Sequence, residues 1–75
     1  MRTLDDYTFQ MMKDEDVRAE VEFPVSTPAE EVDAFLDNSM NAGFTIRVID
    51  RETGTPVLRM SGITGRHTYE TIGAI

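Results

Sequence analysis

The fold is decided by residues 27–43, TPAEEVDAFLDNSMNAG, where a helix start, an apolar stripe and a helix end follow one another. Thr27 and Glu30 form a capping-box sequence with a proline between them, and proline suits the first helical position. Gly43 can adopt the left-handed conformation that ends many helices. We therefore predict a helix over residues 28–41, with an apolar stripe at three- and four-residue steps: Ala29, Val32, Phe35, Leu36 and Met40.

An earlier helix is predicted over residues 4–13. Thr3 and Asp6 form a second capping box, and Leu4, Tyr7 and Met11 recur at helical spacing.

A strand is predicted over residues 17–25, because apolar and polar residues alternate through the whole stretch. Pro24 lacks an amide donor and favours a strand end or a sheet edge. An alternative interpretation continues the first helix through Glu22. Residues 4–20 also resemble the opening segment of small helix-turn-helix antitoxins, a resemblance that implies helix throughout that segment.

A β-hairpin is predicted after the central helix. Residues 44–50 alternate again, residues 51–54 supply a turn with Gly54 at its end, and residues 55–61 form the returning strand. A short further strand is predicted over residues 67–72.

These elements predict an α+β fold of order α-β-α-β-β, with a further β at the end. The expected architecture is a small two-layer sandwich: a mixed three- or four-stranded sheet with both helices on one face. The strand–helix–strand crossover would be right-handed if its two strands paired in parallel. The predicted core comprises Val21, Phe23, Val32, Phe35, Leu36, Phe44, Ile46, Val48, Leu58 and Met60.

Length and composition exclude several classes of protein. The chain has 75 residues, which is enough for one domain and too few for two. It has no cysteine, so disulfide frameworks, thiolate metal sites and cysteine nucleophiles are excluded. No apolar run is long enough to span a membrane, and the first residues lack the apolar stretch of a signal peptide, so we expect a cytoplasmic protein.

Chemical motifs are also missing. His67 is the only histidine and stands in a glycine-rich tail with no serine elbow near it, so no catalytic residue is predicted. The acidic run 14–16 lacks the spacing and the glycine of a calcium loop. Residues 62–65, Gly-Ile-Thr-Gly, have the glycine spacing of a KH-domain clamp but follow a predicted strand instead of a helix. We predict no metal, no cofactor and no enzymatic activity.

The net charge of −7 is unevenly distributed. Residues 1–37 carry eleven acidic and three basic residues, whereas residues 38–75 carry three acidic and four basic residues. This asymmetry predicts a polarised surface and argues against direct binding of nucleic acid, which needs clustered cations.

Small acidic chains without catalytic equipment are typical of inhibitors encoded by phages and mobile elements. We expect a protein-binding module whose acidic surface occupies a basic nucleic-acid-binding site on a partner, because a basic groove attracts any dense array of negative charge. The candidate partner-binding residues are Glu20, Glu22, Glu30, Glu31, Asp33 and Asp37.

The alternative is a self-associating structural or accessory protein. A small sheet can pair its edge or its outer face with a second copy. The candidate residues for such a dimer contact, or for a second surface, are Arg47, Ile49, Val57 and Arg59.

Overall fold

One antiparallel sheet and one helix form the structure, a computed structural model that describes the backbone of residues 3–63 and 66–71 and the side chains of residues 3–62. The elements are β1 (Tyr7–Lys13), β2 (Asp16–Val21), α1 (Ala29–Asn41), β3 (Thr45–Asp50), β4 (Pro56–Ile63) and β5 (Arg66–Thr71). Four strands lie in the order β2-β1-β3-β4, and β5 extends the sheet beyond β4. All neighbouring strands are antiparallel.

The predicted order α-β-α-β-β and the mixed sheet are therefore wrong. The observed order begins with two strands, and a single helix follows them. β2 and β3 run in the same direction, but β1 lies between them and pairs with both. The crossover through α1 thus spans one strand and creates no parallel pair.

The predicted helix over residues 4–13 is a single 3₁₀ turn, Leu4–Asp6, followed by β1. The Asp6 carboxylate does accept the Thr3 amide at 2.7 Å, so the capping signal is used, but only for one turn. From Tyr7 onward, alternate side chains at Tyr7, Phe9 and Met11 belong to the core cluster, a period of two. Tyr7 and Met11 fit a helical stripe equally well, which explains the error.

The predicted strand over residues 17–25 is shorter than expected, because β2 ends at Val21. A register shift opposite Met11 and Met12 breaks the alternation along β2 and leaves Val17 44% exposed. The alternative of a continuous helix, which the antitoxin resemblance also implies, is wrong as well, because residues 7–13 and 16–21 form strands. β1 and β2 join through a tight turn in which Asp14 and Glu15 have φ of 54° and 67°.

Helix α1 confirms the central prediction to within one residue. It begins after Pro28, which takes the N-cap position predicted for Thr27. At the other end Gly43 has φ of 95°, and the Gly43 and Phe44 amides donate to the carbonyls of Met40 and Ser39, both at 3.0 Å. This is the predicted left-handed helix end.

The core lies between α1 and one face of the sheet. Among residues 3–62, five apolar side chains are buried, and Ile46 is fully enclosed: Phe9, Met40, Ile46, Val48 and Met60. Ile46, Val48 and Met60 confirm the predicted core, whereas Phe9 was assigned to a helix. Phe23 joins the layers through edge-to-face contacts with Phe9 and Phe35, at centroid distances of 5.2 and 5.3 Å.

The second hairpin agrees closely with its prediction. β3 and β4 are joined by residues 51–55, with Gly54 at φ of 72°. A hypothetical Cβ on Gly62 in β4 would lie 3.1 Å from the Met40 carbonyl oxygen, so this glycine allows the helix end to approach the sheet. β5 confirms the short strand predicted over 67–72 and begins one residue earlier. Ile72 and residues 64–65 of the Gly-Ile-Thr-Gly sequence lie outside the described residues.

Candidate functional site

The sheet has two different faces, and only one is covered by the described elements. Helix α1 packs against β3 and β4 on the face that carries the core. The opposite face, called here the open face, has no described element packed on it. Its side chains come from alternate positions of the central strands: Thr8, Gln10, Met12, Thr45, Arg47, Ile49 and Arg59.

Four predicted partner-binding residues lie together on the outside of α1. Glu30, Glu31, Asp33 and Asp37 are all exposed, and we call them the acidic helix surface. The helix holds this arrangement because Ser39 and Met40 are buried and Val32, Phe35 and Leu36 are half-buried on its other side. No lysine or arginine occurs in Ala29–Asn41, so the helix itself contributes no neutralising side chain.

The other two predicted acids lie elsewhere. The Glu20 carboxylate accepts a hydrogen bond from Gln10 Nε2 at 2.8 Å. The Glu22 carboxylate accepts one from Thr8 Oγ1 at 3.2 Å and faces Arg51 Nε at 3.5 Å. Both glutamates therefore belong to the open face, and the six predicted acids form two surfaces instead of one.

The residues predicted for a dimer contact are also divided. Arg47, Ile49 and Arg59 lie on the open face, as expected from the hairpin register. Val57 packs against the buried core instead. The cause is a register shift between Val48 and Ile49, which inserts an extra residue into β4 and turns Val57 toward the helix side.

A row of polar side chains crosses the open face. Gln10 links Glu20 on β2 to Arg47 on β3, since Arg47 Nε donates to Gln10 Oε1 at 2.9 Å. Arg59 on β4 lies directly opposite Arg47, and the backbone register places Glu70 of β5 opposite Arg59. The role of Gln10 is not predictable from the sequence pattern, because a helix over residues 4–13 leaves no place for this cross-strand pairing.

Beside this row lies an open depression of about 410 Å³, called here the hollow. It is lined by residues from three strands and from the β1–β2 turn: Met12, Asp14, Glu15, Thr45, Arg47 and Arg59. The β1–β2 turn contributes Asp14 and Glu15 to this lining. Its position beside the two arginines follows from the β1–β3 pairing.

Metal-binding chemistry has no support in residues 3–62, because no cluster of three or more suitable side chains occurs there. The side chain of His67 lies outside the described set.

No family model, no curated protein and no solved structure matches this chain. Within residues 3–63 and 66–71, the one helix is too short and too polar to cross a bilayer. Function is therefore inferred from the placement of charge on the fold.

Proposed function

We propose that this protein is a non-catalytic binding module of the inhibitor type, which docks its acidic helix surface on a basic surface of a partner protein. A nucleic-acid-binding site of a processing complex is the expected kind of target. The observation that carries the proposal is the composition of α1, which presents four exposed carboxylates and no basic side chain.

The spacing of these carboxylates supports the proposal. Glu30 and Asp37 are seven residues apart, which corresponds to about 10 Å along a helix axis. One strand of DNA presents about three phosphates over the same distance. Four carboxylates in this length therefore give a negative charge density similar to that of a nucleic-acid strand.

Charge segregation adds to this support. Arg47 and Arg59 lie on the open face, so they do not shield the acidic helix surface from a partner. An array of like charges accelerates encounter with a complementary surface and makes binding sensitive to salt.

The test is affinity capture from an extract of the native host, with bound proteins identified by mass spectrometry. Three baits are compared: the natural chain, a helix variant and an open-face variant. The helix variant carries Glu30→Gln, Glu31→Gln, Asp33→Asn and Asp37→Asn. The open-face variant carries Asp14→Asn, Glu15→Gln, Glu20→Gln and Glu22→Gln, so it removes the same amount of negative charge.

The proposal expects a protein with a basic surface that is retained by the natural chain and the open-face variant, is lost with the helix variant, and elutes as salt rises. Retention by all three baits would overturn it. If both variants lost the captured protein to the same extent, binding would depend only on net charge. That result would also contradict a specific role of the helix.

Self-association through the open face stays a second prediction, with one observation against it. A two-fold contact there would bring two copies of the Arg47–Arg59 pair together, and like charges at close range oppose association. We therefore favour the acidic helix surface.

A further inference from the structure

The hollow on the open face has two basic side chains on one side and two acidic side chains on the other, and no ion pair among residues 3–62 joins them. Its cationic side is the Arg47–Arg59 pair, and its acidic side is the Asp14–Glu15 turn. This arrangement is separate from the acidic helix surface and plays no part in the function proposed above.

The arginine pair is the first feature. Arg47 and Arg59 are direct cross-strand neighbours, and like charges in such pairs destabilise a sheet unless something compensates them. Neither guanidinium has a carboxylate partner within 4.0 Å among residues 3–62. Arg47 is nevertheless held in place, because its Nε donates to Gln10 Oε1 and Gln10 in turn donates to Glu20.

The acidic side is the second feature. Asp14 and Glu15 follow β1 at its end, and neither makes a hydrogen bond or an ion pair with another described side chain. Asp14 lies four positions along the chain from Gln10 of the arginine row, which corresponds to about 13 Å of extended backbone. The arginine and glutamate side chains reach toward each other across this distance, but no ion pair forms between them.

We propose that the hollow binds a small zwitterion in an extended conformation. Its carboxylate would pair with the guanidinium groups of Arg47 and Arg59, which suit a planar carboxylate. Its ammonium group would face Asp14 and Glu15, and its methylene groups would lie along Met12. A volume of about 410 Å³ is within the usual range for small-molecule sites.

The opposed charges select against simpler ligands. A dianion of the same length would place one carboxylate beside Asp14 and Glu15, and a diamine would place one ammonium beside the arginines. The required chemistry, an ammonium and a carboxylate a few methylenes apart, occurs in a free ω-amino acid and in neighbouring lysine and glutamate side chains of a peptide.

The test is an NMR titration of the ¹⁵N-labelled chain with three probes of matched length: 6-aminohexanoate, adipate and 1,6-diaminohexane. We expect saturable shifts at the amides of residues 14, 15, 47 and 59 with 6-aminohexanoate, and about fivefold weaker binding of each other probe. A blocked Lys-Glu dipeptide identifies the source: tighter binding than 6-aminohexanoate indicates a peptide ligand, and weaker binding indicates a free molecule.

Matched variants complete the test. Arg47→Gln and Asp14→Asn should each weaken 6-aminohexanoate binding about fivefold, whereas Arg18→Gln and Glu52→Gln, which remove like charges outside the hollow, should leave it unchanged. Equal binding of adipate would show a plain anion site and overturn the proposal. Equal binding of the diamine, or no saturable shift with any probe, would overturn it as well.

Discussion

Ile46 is the residue on which the core depends most, since it is the fully enclosed side chain among those described. Truncation to alanine should leave a cavity between α1 and the sheet and lower the free energy of unfolding by about 2–5 kcal/mol. A chain of this size has roughly 4–11 kcal/mol of stability in total, so a large part of it would be lost. Urea unfolding followed by circular dichroism measures the change.

Ile49 provides the matched control for that substitution. It has the same side chain on the same strand, but it lies half-buried on the open face. Ile49→Ala should therefore cost clearly less than Ile46→Ala. Equal costs would contradict the assignment of the two faces of β3.

Alternation along residues 44–50 is sufficient to predict which side chains of β3 enter the core. Ile46 and Val48 confirm that prediction. Val57 does not follow its own pattern, because the register shift between β3 and β4 turns it inward. A bulge is a property of two paired strands, and a single-strand pattern does not contain it.

Among the elements, α1 is predictable because its signals are local: a capping sequence, an apolar stripe and a terminal glycine. The segment over residues 4–13 is not predictable in the same way. Leu4, Tyr7 and Met11 satisfy helical spacing, and the competing strand is stabilised by pairing with β3, as between Phe9 and Val48. That pairing joins residues far apart in sequence, so it overrides the local preference.

The β1–β2 turn is the element with the clearest local strain. Glu15 has φ of 67°, a conformation that costs a side chain with a Cβ about 1 kcal/mol or more. Glu15→Gly should therefore raise the free energy of unfolding by about 1 kcal/mol, or the melting temperature by about 4–8 °C.

Glu15→Ala is the control, because it removes the carboxylate and keeps the Cβ. Calorimetry should show little change for the alanine variant. If both variants gained the same stability, the cause would be the lost negative charge and not the backbone conformation of residue 15.

At the scale of the whole molecule, the charge asymmetry read from the sequence becomes a difference between two faces. Grouping the acids by sequence position placed Glu20 and Glu22 with the acids of α1, but the sheet puts them on the open face. The acidic helix surface was predictable from helical spacing. The hollow was not, because β1 brings its turn beside Arg47 only through pairing with β3.

The oligomeric state tests the second prediction. We expect a species of 8.5 kDa at all micromolar concentrations in sedimentation experiments, because the paired arginines oppose a symmetric contact through the open face. A mass that rises with concentration and returns to the monomer value with Ile49→Lys would instead support self-association.

The central claim is that binding resides on the acidic helix surface, and the most direct test is an affinity comparison against the partner identified by capture. Isothermal titration gives a dissociation constant for the natural chain, the helix variant and the open-face variant. The two variants lose the same amount of negative charge, so any difference between them reflects where the charge was removed. The helix variant should bind at least about tenfold more weakly than the natural chain, since each of the four carboxylates it lacks contributes a few tenths of a kcal/mol or more to binding. The open-face variant should bind almost as well as the natural chain. Equal weakening of both variants, or unchanged binding of the helix variant, would contradict the claim.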